Sequence, residues 1–228
     1  MKKGILTLCS LLLSISIITA QKTETRSVDS FSKLEIGGVF AIELKQGNEE
    51  SVVIEARADQ MAYIITESRG DKLVVKMKDK ENYKKWDDVK VTVNFKSLDY
   101  LNNNGVGSLK SIGTLKFDNL ELKNASVGKT KLTLQANKVD ANISSVGNTE
   151  LSGTVKTMRI KNSSVGNLRA SDLKVDYLDI RNSAVGSAEV YAEKELSITN
   201  EGVGGLRYKG NAVVKEMNSS GLGRIRKM

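Results

Sequence analysis

Apolar and polar residues alternate in short runs along this chain, and beyond residue 99 the runs recur on a nearly fixed step. Leu120-Glu121-Leu122 and Leu178-Asp179-Ile180 show the alternation most clearly. A two-residue period marks a strand that buries one face. Each run leads into a variant of Asn-x-x-Val-Gly, as in Asn124-Ala125-Ser126-Val127-Gly128 and Asn162-Ser163-Ser164-Val165-Gly166. The turns end on Gly107, Gly128, Gly147, Gly166, Gly186, Gly204 and Gly223, at steps of 21, 19, 19, 20, 18 and 19 residues. Such a period is one supersecondary unit stacked on copies of itself. The pattern predicts an all-β solenoid with rungs of about 19 residues.

Alignment on these glycines supplies the expected core. Six residues earlier stand Leu101, Leu122, Ala141, Ile160, Ile180, Ile198 and Met217, and eight earlier the inner repeats carry Leu120, Val139, Met158, Leu178 and Leu196. One residue earlier come Val106, Val127, Val146, Val165, Val185, Val203 and Leu222. All three sets are expected to form like-on-like core columns, one rung every ~4.8 Å, so that seven rungs span roughly 30 Å. Asn103, Asn124, Asn162, Asn182 and Asn200 share a fourth position, where Ile143 and Ser219 are exceptions. Stacked amides can bond from rung to rung, and asparagine tolerates corner conformations, so a structural ladder is expected. The competing reading is a row of polar groups offered to a ligand. Proline is absent, as suits long parallel ladders. Leucine-rich repeats fit poorly, because their Leu-x-x-Leu-x-Leu segments are missing.

Residues 21–98 read as irregular β rungs of the same domain, and residues 99–228 as the regular repeats. Strands are expected over Lys33–Ile36, Val39–Leu44, Ser51–Ala56, Lys72–Met77 and Val89–Phe95, with a helical turn in Asp59–Ile64 before extended Ile65-Thr66-Glu67. Glu81–Asp88, with Tyr83 and Trp86, reads as a loop leaving the stack. The charged end Arg224-Ile225-Arg226-Lys227 is expected to blunt the last rung.

Residues 1–20 change the picture from a cytosolic to an exported protein. Lys2 and Lys3 precede an apolar stretch from Ile5 to Ile18, and Ala20 offers a small residue at a cut site before Gln21. A signal peptide is expected, since the stretch falls short of the roughly 20 residues of a membrane span. A lipid anchor through Cys9 is disfavoured, because the apolar run continues past it. Cleavage removes the only cysteine and lowers the formal charge from +8 to +6. Histidine is absent, so Ser-His-Asp and Cys-His catalysis and the usual zinc sites are excluded. Basic residues are interspersed with acids, which argues against a nucleic-acid footprint. The glycines recur in every rung and open no helix, unlike a phosphate-cradling loop.

The stretch Phe31-Ser32-Lys33-Leu34-Glu35-Ile36-Gly37-Gly38-Val39-Phe40-Ala41-Ile42-Glu43-Leu44-Lys45-Gln46-Gly47, the run Asp71-Lys72-Leu73-Val74-Val75 and the Ser/Ala-x-Val-Gly turns together resemble the bacterial family called putative auto-transporter adhesin, head GIN domain. The resemblance covers nearly all of the chain after residue 20. It implies a right-handed parallel β-helix, an exported location and no established enzymatic activity. Only five residues follow Gly223, so a membrane barrel of the autotransporter kind is not expected within this sequence.

The leading functional expectation is a non-catalytic binding or adhesion-type module of the cell envelope, in the periplasm or at the surface. Its partner would be a polysaccharide or an envelope protein, with no nucleic acid, no membrane span after cleavage and no cofactor or metal. Outward positions are Glu121, Lys123, Asp140, Arg159, Lys161, Asp179, Arg181, Ser197 and Thr199, with Tyr177 and Tyr191 as sugar-stacking candidates. A second reading is a β-helix carbohydrate-active enzyme using acids such as Asp172, Asp176 and Asp179. Asp176 and Asp179 are three apart and so are expected on opposite strand faces. A third is a structural envelope protein that self-associates.

Overall fold

The computed structural model describes residues 21–78 and 88–228. Residues 1–20, with Cys9, and most of the Glu81–Asp88 loop, with Tyr83 and Trp86, lie outside the described residues. Strand accounts for 68% and helix for 2%, which leaves no helical layer to cover a sheet. The strands must therefore bury their apolar faces against one another. They do so as stacked parallel coils of about 19 residues, a β-solenoid of about 7 turns.

The regular part is built from β10 (Leu115–Asn124), β11 (Thr130–Ile143), β12 (Thr149–Asn162), β13 (Leu168–Asn182) and β14 (Ala188–Asn200), each parallel to the next. Register follows the sequence repeat: Leu122, Ala141, Ile160, Ile180 and Ile198 lie one above another. All five are buried, as are Leu120, Val139, Met158, Leu178 and Leu196. β15 (Leu206–Lys209), β16 (Val213–Ser219) and β17 (Ile225–Lys227) finish the stack in parallel. Met217 occupies the inward column beneath Ile198 but is 43% exposed, because no further rung among the described residues covers it.

The first part mixes two arrangements. β2 (Lys33–Ile36) and β3 (Ala41–Gln46) lie parallel to β8 (Tyr100–Asn103) and β9 (Leu109–Ile112), and Val39 bridges Val106 between them. The same register carries back to β6 (Lys72–Met77) on β2 and β7 (Lys90–Phe95) on β3. Around these, β1 (Gln21–Ser27), β4 (Ser51–Arg57) and β5 (Ile64–Arg69) pair antiparallel, as β1–β4, β4–β7 and β5–β6. The reversal at β5–β6 needs only Gly70 and Asp71, with Gly70 at φ +60°, the geometry that two-residue hairpins reserve for glycine. A single turn, α1 (Ala58–Met61), links β4 to β5.

Candidate functional site

The corner of each rung inverts the expected polarity. Val106, Val127, Val146, Val165 and Val185 form an unbroken column of parallel bridges, but the column stands on the outside, 45–53% exposed. Val203 and Leu222 extend it and are more exposed still. The expectation that these residues pack in the core is therefore corrected. Alternation persists through the corner, so residues at even distances before the glycine face inward and Val, at distance one, faces out.

Inside the corner lie asparagine and serine. Asn103 Nδ2 donates to Asn124 Oδ1 at 3.1 Å, Asn162 to Asn182 at 2.7 Å and Asn182 to Asn200 at 2.8 Å. Asn200 Nδ2 closes the series on the Gly223 carbonyl at 2.9 Å. Ser126 and Ser164 hydroxyls donate to Asn124 and Asn162 in their own rungs, both at 2.7 Å. Ile143 interrupts the ladder. There Asn124 Nδ2 turns to the hydroxyls of Thr130 and Thr149. Ser145, two residues after Ile143, is buried and its hydroxyl has no partner among the described residues, because the acceptor that serves its counterparts is missing. The ladder asparagines are at most 4% exposed, so they are not a surface offered to a ligand.

The repeat glycines permit the close approach of these corners. Gly166 has φ +140°, and a Cβ there would lie 2.0 Å from the Gly147 carbonyl oxygen of the adjacent rung. Gly128, Gly147 and Gly186 meet the same restriction, and Gly107 meets it against Phe40. Gly204 and Gly223 lack the positive φ but approach the adjacent carbonyl as closely.

A different corner, where the long strands bend midway, carries a groove of about 690 Å³. Its floor is the column Phe117, Ala136 and Val155, and Phe117 stacks on Phe95 with centroids 6.3 Å apart. Lys116, Gln135, Thr154, Lys174 and Tyr191 form one side, in register from rung to rung. Asn137, Lys156, Asp176 and Glu193 line the other side. Sequence reasoning missed this groove, although its signal was present as small Ala136 beneath large Phe117.

Both groove carboxylates have fixed partners. The Tyr191 hydroxyl donates to Glu193, and Asn211 Nδ2 donates to it at 3.1 Å. These bonds hold the Glu193 carboxyl below the ordinary glutamate range. Lys194 Nζ sits 2.8 Å from Asp176 and also over the Tyr177 ring, 5.6 Å from its centroid. Tyr191 thus belongs to the groove and Tyr177 to the neighbouring face.

That face carries a charge ladder in which Arg159 lies between Asp140 at 3.9 Å and Asp179 at 3.3 Å. Glu121 pairs with Lys123, whose ammonium also lies over Tyr100. The outward positions Lys161, Arg181, Ser197 and Thr199 are likewise solvent-accessible. The opposite face repeats the device, with Glu150 between Lys129 and Arg169, and Arg207 on Glu189.

Over residues 30–212 the sequence matches the family described as putative auto-transporter adhesin, head GIN domain. The chain belongs to this family. No curated protein matches it. Among solved structures, a putative adhesin from Bacteroides fragilis NCTC 9343 superposes with a TM-score of 0.88 at 23% identity, covering 92% of this chain and 97% of that one. A putative adhesin from Parabacteroides merdae ATCC 43184 gives 0.68 at 17% identity, covering 91% and 96%. A putative lipid binding protein from Parabacteroides distasonis ATCC 8503 gives 0.64 at 20% identity, again covering 91% and 96%. At such identities these likenesses establish the fold that this head GIN domain shares with them.

The candidate catalytic acids of the head GIN domain are each engaged by a cation. Asp172 faces Lys209 at 3.6 Å, and Asp176 and Asp179 take Lys194 and Arg159. The strand bends beside Asp176, so Asp176 and Asp179 both point outward on adjoining faces, contrary to the expectation of opposite faces. A glycosidase acid needs a raised pKa, whereas Glu193 is lowered. Among the described residues no three acidic, histidine or cysteine side chains gather as a metal site. Nor is any described helix long and apolar enough to cross a membrane.

Proposed function

We propose that this head GIN domain is an exported, non-catalytic binding module of adhesion type, working at the bacterial cell envelope. The observation that carries the reading is the groove along the mid-strand corner. It runs across successive rungs and displays amide, hydroxyl, ammonium and carboxylate groups over an apolar floor. Concave sites with an apolar base and a few fixed polar groups are the usual form of binding sites. A solenoid repeats such groups at rung spacing, which suits a partner with its own repeat. The signal-like residues 1–20 support export, and the descriptions of family and neighbours as adhesins agree with a binding role.

Two measurements test this reading. Protease shaving of intact cells, with a periplasmic control, distinguishes surface from periplasm. Purified protein incubated with washed envelope fractions is expected to bind saturably to one of them and to leave it chemically unchanged. Turnover of an envelope polymer, or no saturable binding to any fraction, contradicts the proposal.

A further inference from the structure

The groove has the chemistry for a particular ligand class, and we infer that it takes an anionic polysaccharide, laid along the solenoid axis and bearing a carboxylate on some of its sugar units. The inference rests on the binding-module reading and names its ligand. Lys116 and Lys174 share one column three rungs apart, about 14 Å at the strand spacing. Lys156 lies across the floor from them. No carboxylate among the described residues lies within ion-pair distance of these three lysines, all of which are exposed. Lys116 and Lys156 are therefore available as point charges for an anion arriving from solvent, and Lys174, whose charge also acts on the Glu193 carboxylate of the same groove, adds a third.

Charge alone would suit any polyanion, and the rest of the groove narrows the choice. Asp176 and Glu193 stand in it as carboxylate acceptors, which suit hydroxyl donors and repel closely spaced phosphates. Gln135, Asn137 and Thr154 add neutral donors and acceptors between the lysines. The apolar floor of Ala136 and Val155 can accept the C–H face of a sugar ring. A chain with many hydroxyls and a carboxylate at intervals satisfies all four conditions. A dense polyphosphate meets only the first, and a neutral glucan leaves the lysines without partners.

The test is affinity electrophoresis and calorimetry of the purified chain with polygalacturonate, dextran and inorganic polyphosphate as probes. Two triple variants carry the same change in charge: Lys116→Gln/Lys156→Gln/Lys174→Gln in the groove, and Lys131→Gln/Lys138→Gln/Lys161→Gln on other surfaces. All six lysines are exposed and outside any ion pair among the described residues, so both proteins should unfold at the wild-type midpoint. Polygalacturonate is expected to bind the wild type. The groove variant should lose about tenfold or more in affinity and the control variant less than about twofold, as expected for desolvated rather than diffuse contacts. Absence of polygalacturonate binding, equal losses in both variants, or preference for polyphosphate overturns the inference. Binding of the groove variant to envelope fractions keeps the two proposals separate. If it binds them as the wild type does, the groove assignment fails and the binding-module reading stands. If the wild type binds neither fractions nor probes, both fail.

Discussion

The inner and outer sides of the repeated corner are built in opposite ways to those of an ordinary protein. Inside, buried asparagine amides bond from rung to rung, and serine hydroxyls bond to the asparagines. Outside, a valine column stands about half exposed. The difference follows from what each side has to satisfy. Side chains beneath a tight corner are shut off from solvent, so each polar one must find a partner there, and an apolar one such as Ile143 leaves its neighbours to bond elsewhere. The valines sit where solvent reaches them, and their backbones are already bonded: Val165 N–H donates to Ser145 O and its carbonyl accepts from Gly147 N–H. Stability at the corner therefore resides in the polar column, and the apolar column contributes mainly strand-compatible backbone.

The comparison can be broken most severely at the glycine between the two columns. Gly166→Ala introduces both a strained φ and a 2.0 Å contact with backbone, so a loss of about 4 kcal/mol or more, or failure to fold, is expected by urea unfolding. The rung that lacks its asparagine sharpens the comparison on a smaller scale. Ser164→Ala removes a satisfied donor and should cost about 1 kcal/mol, whereas Ser145→Ala removes an unsatisfied hydroxyl and should stabilise by about 1 kcal/mol. Opposite signs at equivalent positions are the expected result of paired denaturation curves.

A smaller effect lies in the N-terminal rungs, where Glu43 is held between Lys110 at 2.8 Å and Lys90 at 3.5 Å. Burial raises its pKa, but the two lysines outweigh burial and leave it lowered. A carboxyl with a lowered folded-state pKa contributes stability above its unfolded pKa and loses it as pH falls through the folded value. Glu43→Gln is thus expected to cost about 1 kcal/mol near neutral pH, with the gap to wild type closing below the ordinary glutamate range. Thermal midpoints of the two proteins across that range check the sign.

Much of this was legible in the sequence because a solenoid writes its period directly into it. Leu122, Ala141, Ile160, Ile180 and Ile198 align in sequence and stack in the structure for the same reason. Apolar character alone puts the valine column inside, whereas strand parity puts it outside. Asn162 and Ser164 lie at even distances before Gly166 and Val165 at an odd one, so strict alternation already places the polar pair inside. A corner at Gly37-Gly38-Val39-Phe40 escaped notice since Ile36 and Phe40 replace the usual Asn and Gly, though Val39 bridges Val106 in the same column. Strand β1 gave no apolar signal, because Gln21–Ser27 is polar throughout and pairs on one side of β4. The groove depends on which side chains flank a bend, and a period of 19 residues does not reveal where a strand bends.

The central claim is that the buried amides, and not the valines, hold the corners together. Urea unfolding of Asn182→Ala and Val185→Ala tests it directly, since the two residues sit three apart in the same corner. Asn182 bonds to both neighbouring asparagines, so its removal should cost about 3 kcal/mol, while Val185, 52% exposed, should cost less than about 1 kcal/mol. Equal losses, or a larger loss for Val185→Ala, would contradict the account.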